Sequence, residues 1–505
     1  MTIFSFTVNI RNIFHRHYDS MNFKNTGLHL IPLSVIFTIS AIPSVVHAEG
    51  WNIQPSIEAR TGWSDNIEFE DDGEESGFVS QINPGISIEK PTGRLQVLLD
   101  YQLQNFYYHD GGDLDTEQDL ESIARYALIP DTFFINGFAT ATQVIVDNDQ
   151  QISVDNFNDT GNTTDEYSFG FGPQWVQNIA GYAKADIGYL YSEQIFDEES
   201  DEDGVEGDID NNDRQTFSAS LSNIDQRSDR LDWVASYIDD KIDFEDSETF
   251  DFTTYQLDLG YELTSRLELV GSYGYEDNDL GENAAFNDDD GDFWTLGALA
   301  SFGEYSSLEV RRAERFFGDF WLGTLLVGGP RLAVTATYEE RADLSGIGDV
   351  DFNFDIGDNN LDLLDTEVEA SPDDRDSVSV AKSWDVAISY VVSKSTFVAE
   401  YSNSDQEFLD TTNTEMFENY ALAWLWQISG QTSLLTRIEF QEDVSDDLGV
   451  ETKTEFYDLD VEFRRALSPK TDFDVSYSYT DGKTDDLANE EFTANTISVG
   501  IIHRF

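Results

Sequence analysis

Tyr255-Gln256-Leu257-Asp258-Leu259-Gly260-Tyr261-Glu262-Leu263 alternates apolar and polar residues without a break. At a period of two, Tyr255, Leu257, Leu259, Tyr261 and Leu263 share one face of a strand, while Gln256, Asp258 and Glu262 share the other. Each face therefore meets a different environment. The pattern returns at 95–103, where Leu95, Val97, Leu99, Tyr101 and Leu103 oppose Gln96, Asp100 and Gln102. It returns again at 457–463, where Asp458, Asp460 and Glu462 oppose Tyr457, Leu459, Val461 and Phe463. At 471–479, Asp472, Asp474, Ser476 and Ser478 oppose Phe473, Val475, Tyr477 and Tyr479. A soluble sandwich also alternates, but its strands average about five or six residues and its connections are short at both ends.

Here the connections are unequal. Ten short turns, at 90–93, 129–132, 178–181, 225–230, 264–266, 303–306, 328–330, 393–395, 429–431 and 467–470, alternate with eleven mostly longer polar connections, among them 68–76, 147–164, 197–213 and 342–377. One rim with tight turns and one with long loops is the habit of a membrane barrel. The expected fold is therefore all-β, a transmembrane antiparallel β-barrel of about 22 strands. The count falls to 20 if the hairpin around Gly328-Gly329-Pro330 does not form. Trp51 already begins the first strand, whereas a plug needs on the order of 100 residues before it. So no plug domain is expected, and active iron-complex transport is disfavoured.

Composition agrees with a folded chain. Of 505 residues, 100 are Asp or Glu and 28 are Lys or Arg, for a formal net charge of −72, yet 40% are apolar and 13% aromatic. Such apolar content exceeds that of disordered acidic chains. A surface this negative excludes nucleic acid as a partner. The absence of cysteine removes disulfides, thiolate zinc sites and thiol catalysis together. Acids crowd the long loops, ten of them within 197–213 and twelve within 342–377, whereas Lys90, Arg94, Arg230, Arg266 and Lys470 lie near short turns.

The first 48 residues read as targeting. Lys24 heads an apolar run from Leu28 to Val46, and Val46-His47-Ala48 is a small-residue cleavage site. Residues 1–48 are thus a signal peptide, with Met21 as an alternative start, and 49–505 are the barrel. The chain ends Ser498-Val499-Gly500-Ile501-Ile502-His503-Arg504-Phe505. Ser498, Gly500 and Phe505 resemble the C-terminal assembly signal of bacterial outer-membrane proteins; His503 departs where Tyr or a hydrophobe is usual. A terminal strand that the assembly machinery recognises and pairs with the first strand removes both sheet edges.

The opening hairpins carry a further resemblance, in Pro55-Ser56 with Asp65-Asn66, Asn83-Pro84-Gly85 and Asp100-Tyr101. They look like the start of outer-membrane barrels associated with PEP-CTERM and exopolysaccharide systems, within the β-barrel porin group. The resemblance implies the bacterial cell outer membrane and transport or anchoring connected with secreted polysaccharide, and brings no catalytic residues. The implied partners are outer-membrane lipids and lipopolysaccharide, the barrel-assembly machinery and polysaccharide-export components.

Candidate lumen-lining residues are Gln96, Asp100, Gln102, Asp258, Glu262, Asp460, Glu462, Asp472 and Asp474, on the polar faces read above. Catalysis is unsupported: after cleavage only His109 and His503 remain, and no phosphate loop follows a strand and opens a helix. Glu199, Asp201, Asp203 and Asp210 partly resemble a calcium loop without flanking helices, so Ca²⁺ at the acidic loops is the one cofactor to consider. The expected function is a porin-like or export channel for a hydrophilic solute or exopolysaccharide, narrowed by infolding of 342–377. The alternative is a structural or adhesive surface protein whose acidic loops bind cations or matrix.

Overall fold

The computed structural model describes residues 50–505 apart from 68, 70–74, 110–111, 113, 146–156, 159–162, 197–210, 224–229, 246–248, 280–289, 304, 316, 345–377, 409–412, 448–449 and 486–489. The strands are β1 (Asn52–Ser64), β2 (Gly77–Lys90), β3 (Leu95–Tyr108), β4 (Leu114–Ile129), β5 (Phe133–Ile145), β6 (Thr163–Ile179), β7 (Ala183–Phe196), β8 (Asn212–Asn223), β9 (Leu231–Phe244), β10 (Thr249–Thr264) and β11 (Leu267–Asp279). They continue as β12 (Gly291–Ser301), β13 (Ser306–Arg315), β14 (Gly318–Gly328), β15 (Leu332–Leu344), β16 (Val378–Val392), β17 (Ser395–Phe408), β18 (Thr414–Ser429), β19 (Thr432–Asp447), β20 (Val450–Ser468), β21 (Thr471–Thr484) and β22 (Glu490–Arg504). Each pairs antiparallel with its chain neighbours. β1 pairs with β22 from Ser56↔Arg504 to Ser64↔Thr496, and the Phe505 N–H donates to the Pro55 carbonyl at 2.9 Å. The sheet thus closes on itself and leaves no edge.

The fold class expected from the sequence needs correcting. The reserve count of 20 strands fails, because β14 and β15 pair from Gly323↔Tyr338 to Gly328↔Ala333 across the Gly328-Gly329-Pro330 turn. The exclusion of a plug domain drew on the residues before Trp51, and all of these but Gly50 lie outside the described residues, as does the signal peptide of 1–48.

Strand direction of burial follows the two-residue period. Tyr255, Leu257, Leu259, Tyr261 and Leu263 are all exposed, as are Leu269 and Tyr273 on the next strand and Val499 and Ile501 on the last. These residues face outward, into the environment that takes apolar groups. Aromatic rings form rows across this outer face: Tyr401, Tyr420, Phe440 and Tyr457 are directly opposite one another on β17 to β20, with neighbouring centroids 4.9, 6.2 and 4.6 Å apart. Several hydroxyls of this level donate to carboxylates two residues away, Tyr237 to Asp239 at 2.9 Å and Tyr420 to Glu418 at 3.2 Å. An apolar ring body with a wet tip is what a membrane interface selects.

Proline would leave a hole in a closed wall, since it has no N–H for the ladder. At Pro84 the β2–β3 pairing lapses between Gln81↔Phe106 and Gly85↔Gln102. Asn83 and Asn105 fill the gap: the Asn105 N–H donates to Asn83 Oδ1 at 3.3 Å, and Asn105 Nδ2 to the Ile82 carbonyl at 2.8 Å. A Cβ at Gly85 beside it would sit 2.8 Å from Ser56 Oγ and 3.2 Å from the Tyr101 carbonyl, so a side chain there would require a neighbour to shift.

Candidate functional site

Opposite the apolar outer face, the inner wall carries the polar residues of every strand, and its charge is unevenly spread. In the sector from β19 through the seam to β3, acids are matched by arginines. Arg60 on β1 reaches Glu58 Oε1 at 3.1 Å, Asp474 Oδ2 on β21 at 3.0 Å and Ser498 Oγ on β22 at 3.1 Å. The reach from β1 to β21 passes over Gly500, where a Cβ would lie 2.7 Å from Asp474 Oδ1. Gln102 Nε2 donates to Glu58 Oε2 at 3.3 Å, Arg504 holds Asp472 at 2.6 Å, and Arg464 Nε stands 3.7 Å from Glu462. Asp460 stands opposite Arg437 in register. On β3, Asp100 shares the face of Gln102 and lies opposite Ser87 and Glu121, while Gln96 donates to the Pro91 carbonyl at 3.0 Å, at the turn-side rim.

The opposite sector carries a cluster of acids on its turn side, while nearer the long-loop rim Arg214 pairs with Asp240 at 2.6 Å and Arg315 with Glu276. Asp258 accepts from Ser272 Oγ and Gln256 Nε2, both at 2.6 Å. Glu262 lies opposite Glu268, and Asp232 opposite Gly260. The Glu268 carboxylate occupies the space a side chain at Gly260 would need. Next to this group, on β13, Arg311 pairs with Glu309. A concentration of carboxylates inside a wall of low dielectric focuses negative potential into the lumen. The sequence reading therefore placed polar residues on one face but missed that Arg60, Arg464 and Arg504 share it and neutralise part of it.

Near the long-loop rim the inner face changes character. Phe106, Phe196, Phe244, Phe250, Phe293, Phe320, Phe408, Phe456 and Phe492 all turn inward there, each no more than 8% exposed. Two connections enter among them. Phe69, in a left-handed backbone conformation with φ 55°, stacks on Phe492 at 4.6 Å and packs with Phe456 and Ala494. Phe157, from the β5–β6 connection, packs against Val79 and Phe106. This apolar mouth was not foreseen. Its signal in the sequence is a phenylalanine in phase with polar residues, such as Phe106 after Gln102 and Gln104, or Phe244 after Asp240. The expected constriction, 342–377, and the calcium-loop candidates Glu199, Asp201, Asp203 and Asp210 fall mainly or wholly outside the described residues.

His109 and His503, the two histidines among the described residues, lie on the outer face. His503 shares it with Ile501 and Val499, stands 2.9 Å from Thr471 Oγ1 and meets the Phe505 ring edge-on at 4.8 Å. His109 Nε2 is 3.0 Å from Ser80 Oγ, with its ring edge against Tyr107. Of the terminal signal, Ser498 is buried and 2.5 Å from Ser476 Oγ, Gly500 makes room for Asp474, and Phe505 is half exposed.

No protein-family model matches the chain, and no curated relative does. Solved structures do resemble it. The FrpB iron transporter from Neisseria meningitidis (F5-1 variant) is 10% identical over 90% of this chain and 82% of its own, with a TM-score of 0.52; its apoprotein form gives 0.53 over 90% and 81%. The siderophore receptor PirA from Acinetobacter baumannii is 8% identical over 90% and 80%, with a TM-score of 0.49. The likeness to FrpB corrects the expected fold class, a barrel of about 22 strands with no plug domain, because the closed 22-strand wall shares its fold with the wall of that iron transporter. With an apolar, tyrosine-belted outside, a polar inside and no free edge, this chain is a β-barrel protein of the bacterial outer membrane.

Proposed function

We propose that the barrel is a gated conduit that carries a hydrophilic solute across the outer membrane and prefers cations. The observation that supports this most is the cluster of inward carboxylates on β9 to β11, Asp232, Asp258, Glu262 and Glu268, with Arg311 of β13 paired to Glu309 beside them. Carboxylates held in a low-dielectric wall raise the local concentration of cations and repel anions. Gating is supported by the phenylalanine-lined mouth, into which Phe69 and Phe157 fold. A cationic chelate, iron included, and a neutral glycan are both solutes such a wall admits; exopolysaccharide passage fits the resemblance of the first hairpins.

Reversal potentials of the purified protein in planar bilayers test the reading. Cation preference is expected, and it should weaken when Asp232, Glu262 and Glu268 are changed together to Asn or Gln. Anion preference, or no conductance in the wild type and in variants with an opened mouth, would favour the structural and adhesive alternative.

A further inference from the structure

The backbone ladder that joins the two ends of the barrel wall has its last registered pair at Ser64↔Thr496, followed by a single bond from the Asp65 N–H to the Asn495 carbonyl at 3.2 Å. Beyond that pair the first and last strands belong to opposite ends of the chain, with no hairpin to hold them together. Side chains reinforce that bond and carry the contact further. The Asp65 carboxylate accepts from the Asn495 backbone N–H at 2.6 Å and from Asn495 Nδ2 at 2.9 Å, and Asn66 Nδ2 donates to the Thr493 carbonyl at 3.3 Å. Asp65-Asn66, part of the motif noted in the sequence, is thus a seam element.

A third segment joins them from inside. Asn158 Nδ2 donates to Ser64 Oγ at 3.0 Å and to the Asn66 carbonyl at 2.5 Å, and its Oδ1 accepts from Thr496 Oγ1 at 3.2 Å. One amide therefore bonds both members of the last ladder pair. Asn158, Ser64, Asn66 and Thr496 are each at most 4% exposed. Its neighbour Phe157 is seated against Gly62, where a Cβ would come 2.6 Å from the ring. Glycine at 62 is a socket cut for that ring.

We propose that Phe157-Asn158 is an interior clasp on the barrel seam, and that locking the long-loop end of the seam and seating Phe157-Asn158 in the mouth are one event. The reason is stoichiometric: the amide's donor and acceptor have partners on β1 and on β22, so an open barrel cannot satisfy both, and a buried amide left unmatched is disfavoured. The clasp goes beyond the transport reading and does not depend on it.

Hydrogen exchange resolved by mass spectrometry, on the full chain folded in lipid nanodiscs, tests the clasp without any solute. In Asn158→Ala and in Gly62→Val, exchange of amides at 62–66 and 494–498 should quicken at least tenfold. That at 56–58 and 502–504, where Arg60, Phe505 and the ladder hold the other end, should not change. Unchanged exchange at both ends, or equal quickening at both, would overturn the proposal. Because either variant could fail to fold, a cross-link supplies the second arm. In this cysteine-free chain, the double variant N158C/T496C should form its disulfide on treatment with diamide and then slow exchange at 62–66; failure of the folded protein to cross-link there would equally overturn it.

Discussion

Arg60 shows how much a single inward side chain does in a wall one residue thick. It lies on the first strand, yet it binds Ser498 on the last strand and Asp474 on the one before, so it crosses the seam where covalent continuity is missing. The Asp474 side chain is 4% exposed, and removing one partner of such a pair leaves a charge without compensation. Arg60→Ala should therefore lower stability by roughly 2 to 4 kcal/mol, read as an earlier urea midpoint for loss of the heat-modifiable gel species. Gly500→Ala should also destabilise, since the new methyl meets the Asp474 carboxylate. In an Asp474→Ala background the same substitution should cost much less, because the clashing atoms are gone. Additive effects in that double-mutant cycle would show that the close approach does not matter.

At the scale of the element, the strands are set by alternation and the irregularities by specific repairs. Pro84 breaks a ladder in the middle of the wall, and the Asn83–Asn105 bonds replace what it cannot donate. Asn105→Ala should cost about 1 to 3 kcal/mol, with faster exchange confined to β2 and β3. Substituting Pro84→Ala in the same protein should recover part of that loss by restoring an N–H. The last strand offers a sharper test. The Phe505 backbone closes on Pro55, and its ring, half exposed on the outer face, lies against His503. Deletion of Phe505 should abolish insertion in cells, with unfolded protein recovered from the periplasm; normal yield of the heat-modifiable form would refute this.

For the whole molecule, the distribution of charge around the lumen matters more than its sum. On β9 to β11 the turn-side acids Asp232, Asp258, Glu262 and Glu268 cluster with Arg311 beside them, while Arg214 and Arg315 pair with Asp240 and Glu276 nearer the long-loop rim; around the seam the acids are paired with Arg60, Arg464 and Arg504. Neutralising Asp232, Glu262 and Glu268 should reduce cation preference while leaving the urea midpoint near wild type. Neutralising Glu462, Asp472 and Asp474 should instead lower the midpoint, because it strips Arg60, Arg464 and Arg504 of partners. Selectivity should sharpen at low salt, where screening lengths reach roughly 30 Å at 0.01 M. The mouth predicts conductance: Phe69→Ala combined with Phe157→Ala removes both rings that enter from connections, and single-channel current should rise severalfold.

Alternation by itself determined which residues of β3, β10, β20 and β21 face which way, because a period of two leaves a strand no other choice when one side is apolar and the other wet. Turn length determined the two rims, and the terminal aromatic marked the closing strand. What the sequence could not show was which inward residues meet. Gln102 with Glu58, Arg60 with Asp474 and Asn158 with Thr496 are separated by 44, 414 and 338 positions. Only the closure of the sheet and its register bring them within a few ångströms. The phenylalanine mouth escaped for the same reason. A lone Phe on a polar face reads as an interruption in one strand, and becomes a core only when many strands place theirs at one height and Phe69 and Phe157 fold in to cover them.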